Sequence, residues 1–291
     1  MYNIAKRKGD KAMNKLSLER KAQVIRTLCE GNSIRATCRI TNTAKGTVIR
    51  LLRDVGKACA EYQDKHLINL SCQRIECDEI WSFCYAKAKN VPKNKQGQFG
   101  YGDVWTFVAI DADTKLVVSW LVGLRNPECA CEFFRDIKDR LSNRVQLTTD
   151  GHRMYYEAVR NVFGDDVDYA MLVKYYGVEQ DKFGHYSPPK CTNTQTKHVN
   201  GSPDMRKVST SYIERQNLTM RMSMRRFTRL TNAFSKKIEN LEYAVALHFM
   251  YYNFARSHKT LTNPYPKTPA MAAGISNHVW SIEEIVKLIT K

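Results

Sequence analysis

The sequence predicts an α/β protein: a mixed-sheet core, preceded by a small all-α unit and followed by a helical extension. Three observations carry that assignment. Apolar residues recur at helical spacing from Leu18 to Val55. From Arg74 the pattern changes to β-branched and aromatic runs separated by turn residues and helical stretches. From Ser211 it becomes helical again. A chain of 291 residues, 43% of them hydrophobic, can bury one sizeable core and a smaller module.

Residues 1–16 are basic and irregular and read as a loose tail. Leu18, Ala22, Ile25 and Cys29 share one helical face, and Gly31 supplies the left-handed residue that closes such a helix. Ser33 is an N-cap for a second short helix carrying Ile34, Cys38 and Ile40. A turn at Asn42 and Thr43 leads into a third helix, with Val48, Leu51, Leu52 and Val55 on one face and Gly56 just past its end. Three short helices with a tight turn before the third fit a helix-turn-helix, which assigns residues 17–60 to a DNA-binding domain. The face of the third helix opposite its apolar stripe carries Lys45, Thr47, Arg50 and Arg53, side chains suited to phosphates and base edges. Residues 57–72 read as a continuing helix or a linker, with the linker assigned to 61–72.

The core, residues 73–235, opens with a strand over Arg74–Phe83. Val104–Ile110 and Leu116–Val122 flank the turn-like Asp111-Ala112-Asp113-Thr114 and form a hairpin. Pro127–Leu141 reads as a helix, and Val145–Thr149 as a strand ending in Asp150-Gly151. Tyr155, Ala158, Val159 and Val162 mark a helix stopped by Gly164, and Tyr169–Val173 is another strand. Residues 174–208, polar and broken by Gly, Pro, Asn and Thr, read as an insertion loop. A helix from Ser211 places Ile213, Asn217, Met220, Met224 and Phe227 on one face; another covers Lys236–Arg256 and begins the extension, 236–291, which ends in a short helix after Ser281.

The formal net charge is +17, from 46 Lys and Arg against 29 Asp and Glu, which points to a polyanionic partner. Residues 1–60 hold 14 basic and 4 acidic residues, and residues 211–260 hold 9 and 3, so two regions of the chain favour contact with that polyanion. The nine cysteines contain no CxxC pair and lack zinc-site spacing; they read as reduced, mostly buried thiols, and no zinc is expected. No apolar run reaches the length of a membrane span, so no membrane partner is expected.

Three acidic residues stand out. Asp78 interrupts an apolar strand, Asp150 ends another, and Glu214 lies near the start of a helix. Asp is a poor strand residue and costly to bury alone. A strand bearing Asp, a hairpin, a helix, a strand-end Asp and a later helix bearing Glu is the order of ribonuclease-H-like nucleases. Phosphodiester attack needs a deprotonated nucleophile and a neutralised leaving oxygen, which two Mg²⁺ ions about 3.5–4 Å apart serve together. Hard cations take oxygen ligands and keep waters, so a few carboxylates suffice. Adjacent strand residues face opposite sides, so only one of Asp78 and Glu79 is expected at the metals. On the Glu helix, Glu214, Leu218, Arg221 and Arg225 form one stripe, with guanidinium groups able to follow a phosphate backbone. His152, next to Asp150, is a candidate for touching a phosphate or the attacking water.

The segments ECDEIWSF (76–83), TTDGH (148–152), SYIERQN (211–217) and FMYYNFARSHKTL…TPAMAAG (249–274) resemble transposases of the first-numbered bacterial insertion-sequence family, as does the head segment 30–52. The resemblance spans about residues 17–285. It implies an Asp78, Asp150, Glu214 triad in a ribonuclease-H-like domain and dependence on Mg²⁺ or Mn²⁺. It also implies cleavage and strand transfer at double-stranded terminal inverted repeats, self-association on DNA and a bacterial cytoplasmic location. Arg215 and Asn217 match the Glu-Arg-x-Asn pattern and would orient substrate or ligands. The zinc-type cysteines at the N-terminus of some members are missing. The Asp150-to-Glu214 spacing is long, which leaves Asp165, Asp166, Asp168, Glu179, Asp181 and Asp204 as rival acids.

Overall fold

A computed structural model describes residues 15–177, 191–228 and 231–290. Its N-terminal part is three helices, α1 (Leu18–Cys29), α2 (Ile34–Thr41) and α3 (Lys45–His66). Ser17 and Ser33 cap α1 and α2, each accepting a backbone N–H of its helix through the side-chain oxygen, and Asn42 adopts the left-handed conformation that turns the chain into α3. The acid-bearing core follows as β1 (Arg74–Cys84), β2 (Gly102–Asp111), β3 (Val117–Gly123), α4 (Pro127–Arg140), β4 (Gln146–Asp150), α5 (Arg153–Phe163), β5 (Asp168–Tyr176), β6 (Cys191–Asn200) and α6 (Ser211–Ser223). Then come α7 (Ile238–Met250), running into a π-turn over Tyr251–Ala255, α8 (Pro269–Ala272) and α9 (Ile282–Lys287).

The six strands form one mixed sheet in the order β3-β2-β1-β4-β5-β6. β1, β2 and β3 are an antiparallel meander; β4 runs parallel to β1, β5 parallel to β4, and β6 returns antiparallel. This is the ribonuclease-H-like mixed α/β core expected from the element order, with helices on both faces. Adjacent side chains of β3 show the two layers: Ser119 donates to Asp136 on α4 at 2.5 Å, while Trp120 packs on Phe249 of α7. α4 and α5 therefore cover one face, and α6 and α7 the other.

Three expectations are corrected. Residues 61–66, assigned to the linker, follow the other reading of this stretch and continue α3. Gly56, read as lying past the end of that helix, is inside it: an added Cβ would stand 2.5 Å from both the Cβ and the carbonyl oxygen of Tyr243. Only glycine lets α3 and α7 cross that closely, which outweighs its cost of about 1 kcal/mol within a helix. The third correction is in the polar segment 174–208: residues 174–176 extend β5 and Cys191–Asn200 form β6, because pairing with β5 satisfies their backbone groups. Residues 178–190, with the rival acids Glu179 and Asp181, lie outside the described residues, as do residues 1–14 of the tail.

The head and the extension share one buried cluster with the sheet, from Ala22 and Ile25 through Leu52, Ile75 and Phe107 to Ile285 and Val286. Arg26 on α1 pairs with Glu283 on α9 at 3.2 Å, and Tyr62 of α3 packs on Phe254 and Trp280. Among the described residues no helix is long and apolar enough to cross a membrane.

Candidate active site

Pleating of β1 sends alternate side chains to opposite layers. Glu76 and Asp78 meet α6: the carboxylate of Glu76 accepts the backbone N–H of Tyr212 at 2.8 Å and of Ile213 at 3.1 Å, and Asp78 Oδ2 accepts from the Asn217 side-chain amide at 2.9 Å. Glu79 points the other way, accepting from the buried Tyr155 hydroxyl of α5 and from Arg125 at 2.5 Å. The Arg125 guanidinium also stacks over Trp105, 4.6 Å from the ring centroid. The alternation expected from the sequence therefore holds, yet both Asp78 and Glu79 reach the wall of one cavity of about 950 Å³.

That cavity is also lined by Asp150, His152, Lys174, Glu214, Asn217 and Arg221. Asp150 terminates β4, and its Oδ1 accepts the His152 backbone N–H at 3.0 Å. His152 caps α5, its Nδ1 accepting the Met154 N–H at 3.2 Å; in the neutral ring this leaves Nε2 as the donor. Glu214, in the first turn of α6, bonds the Thr210 hydroxyl at 2.6 Å and the Lys174 ammonium of β5. The chain thus brings Asp78, Asp150 and Glu214, from β1, β4 and α6, around one cavity. Asp165, Asp166, Asp168 and Asp204 do not line it: Asp168 is held by Arg144 at 2.8 Å, and Asp204 by Arg206 at 3.1 Å.

The electrostatics are those of crowded carboxylates. Burial, then the charges of Glu79, Asp150 and Glu214, push the Asp78 carboxyl up to about 7. Burial likewise raises Asp150, opposed by the His152 N–H bond. Asn217 Oδ1 is buried with no protein partner, leaving one more oxygen donor beside Asp78.

The donor chemistry fits hard divalent cations, which take carboxylate oxygens and offset their repulsion. The side chains as arranged do not close a metal shell: among the described residues no group of three or more His, Cys, Asp or Glu is close enough to hold an ion. Glu214 is instead held by Lys174 and Thr210.

Other expected site residues are spread over several surfaces. Arg215 is exposed and does not line the cavity. Arg221 lines it, but α6 ends at Ser223 and Arg225 falls in the following 3₁₀ turn, so the predicted Glu214–Arg225 stripe breaks at Met224. On α3, Lys45, Arg50 and Arg53 are exposed and Thr47 half-buried, opposite the buried Val48, Leu51, Leu52 and Val55. The sequence reading missed Glu76, Lys174, Arg125 and Tyr155. Glu76 carried a signal, as a second acid two residues before Asp78 on the same strand face; the other three are remote in sequence and carried none.

No family model and no curated protein matches the chain. Among solved structures, a piggyBac transposase synaptic complex with hairpin DNA is similar over 97% of this chain and 73% of its own, at 10% identity and a TM-score of 0.43. A Mos1 strand transfer complex is similar over 53% of this chain and 58% of its own, at 14% identity and a TM-score of 0.22. A Mos1 mariner paired end complex with Mn is similar over 84% and 79%, at 9% identity and a TM-score of 0.26. At such identities and scores these likenesses carry no argument about activity, and the site stands on its own residues.

Proposed function

We propose that this chain is a DNA transposase, a polynucleotidyl transferase that cuts at transposon ends and joins the freed 3′-hydroxyl to target DNA. The observation that supports this most is the convergence of Asp78, Asp150 and Glu214 on one cavity from elements up to 136 residues apart, in a chain of net charge +17. Asp78, Asp150 and Glu214 would hold two Mg²⁺ or Mn²⁺ ions. Bound there, such ions lower the pKa of an attacking water or hydroxyl and neutralise the leaving oxygen.

The chain's own groups do the remaining work. The Asn217 amide fixes the rotamer of Asp78, and the two backbone N–H bonds to Glu76 fix the start of the helix that carries Glu214. His152 and Arg221 line the cavity; the Nε2–H of His152 would donate to a phosphate oxygen there, and Arg221 would serve as a cation for the backbone. Lys174 pairs with Glu214 and offsets its charge in the metal-free chain. The exposed cations of α3 would grip terminal-repeat DNA, and joining two ends calls for self-association.

The Lys174–Glu214 pair favours one rival, a DNA-binding relative that does not cut. Plasmid nicking in Mg²⁺ or Mn²⁺, with joining of pre-cut 3′-hydroxyl ends, separates the readings. The transposase nicks and joins, and Asp78→Asn loses both while still binding DNA. A wild type that binds but never cuts supports the rival; nicking without joined product indicates a nuclease.

A further inference from the structure

A second, larger cavity of about 1640 Å³ lies where the helical head meets the far end of α6. Its walls come from α1, α2 and α3 on one side, and from the segment after β1, the turn after α6 and α7 on the other. Six cations line it, Arg35 and Lys45 from the head and Lys87, Arg225, Arg226 and Lys236 from the core. Among the described residues no Asp or Glu lines it, and none of the six forms an ion pair with a described carboxylate. In a chain with 29 acidic residues that is a marked segregation of charge.

Two further features set this groove apart from a solvated basic face. Arg226 is half-buried, and among the described residues its only side-chain hydrogen bond is from Nε to the Ser235 hydroxyl at 2.8 Å. A guanidinium held in that way without a counter-anion favours an anionic ligand. The wall is also built firmly: Gly31, at φ +77°, sits so close to α6 that an added Cβ would lie 3.1 Å from the Ser223 carbonyl oxygen. The head is therefore held against the end of the helix that bears Glu214.

We propose that this groove seats the phosphate backbone of duplex DNA and is continuous, along α6, with the acid-lined cavity. The inference rests on the DNA-processing reading above and deepens it. Thr210, Glu214, Asn217, Leu218 and Arg221 line the acid cavity, and Ser223, Met224, Arg225 and Arg226 line the groove. The 13 residues of α6 span about 20 Å, or about six base pairs of duplex. One duplex gripped between head and core thus reaches the carboxylates about half a helical turn from the grip. This accounts for Arg225, which leaves the acid cavity and enters the groove.

The test uses the full chain and random-sequence duplex DNA, with affinity measured between about 50 and 200 mM salt. The variant Lys87→Ala/Arg225→Ala/Lys236→Ala removes three exposed groove cations. Its control, Lys93→Ala/Arg160→Ala/Lys197→Ala, removes as much charge from exposed positions that line neither cavity. The expected result is about a tenfold or greater loss of affinity for the groove variant, with a log–log salt slope shallower by about 2 to 3, and little change for the control. Equal slopes and affinities for the two variants overturn the groove while leaving the cutting reading intact. A wild type that shows no salt-dependent DNA binding overturns both.

Discussion

Asp78 is where charge, burial and proposed chemistry meet. Its carboxyl, ordinarily near 3.8, is pushed up to about 7 by burial and by the acids around it. A raised folded-state value means that the folded chain holds an extra proton between those limits. Metal-free stability is therefore full below pH 3.8 and falls as pH rises through 7. The loss is about 4 kcal/mol at most, and less where water screens the site. Asp78→Asn should flatten this slope in pH-dependent chemical denaturation and make the metal-free protein more stable than wild type at pH 8. Glu76 gives a second prediction at this scale. Glu76→Ala leaves the Tyr212 and Ile213 N–H groups without their acceptor and should cost about 1–3 kcal/mol. Cutting should fall further than the stability loss explains, because Glu214 rides on that helix. Asn217→Ala should lower cutting by about 10- to 100-fold with DNA affinity unchanged, measured by nicking rate. Asp78 and Asp150 stood out in the sequence because one interrupts an apolar strand and the other ends a strand, while Glu214 followed from the order of elements and the family pattern; that all three line one cavity is what the structure adds. Lys174, Arg125 and Tyr155 did not stand out, since their roles arise from contacts made across the sheet.

At the scale of elements, two glycines on α3 separate packing from propensity. Gly46 has nothing within 4 Å of where a Cβ would stand, whereas Gly56 has Tyr243 at 2.5 Å. Gly46→Ala should stabilise by up to about 1 kcal/mol through helix propensity. Gly56→Ala should destabilise by about 1–3 kcal/mol or more by forcing α3 off α7. Thermal unfolding of the pair reads both signs in one experiment. Most elements were legible: the caps Ser33 and Gly31, the hairpin and the strand ending at Asp150 were carried by local chemistry. The errors share one cause. Gly56 looked like a stop because only the tertiary crossing explains a glycine inside a helix. Cys191–Asn200 looked like loop because exposed, polar β6 gains its order from pairing with β5, which local pattern does not encode.

For the whole molecule, the arrangement ties a helical head to a sheet-borne acid site through one buried cluster, with α6 running between an acidic and a basic cavity. Composition pointed to a polyanionic partner, but not to six cations gathered where head meets core with no carboxylate among the described lining residues. The central claim is that Asp78, Asp150 and Glu214 act together on divalent cations, and metal-linked stability tests it without requiring the DNA sequence. At about 100 times its Kd, a cation that binds only the folded chain adds about 2.7 kcal/mol, a rise of several degrees in Tm. The measurement is the Tm of wild type, Asp78→Asn, Asp150→Asn and Glu214→Gln across a Mn²⁺ titration at pH 8. The account predicts a saturable rise for wild type that is lost or much reduced in each variant; rises of equal size in all four proteins would contradict it.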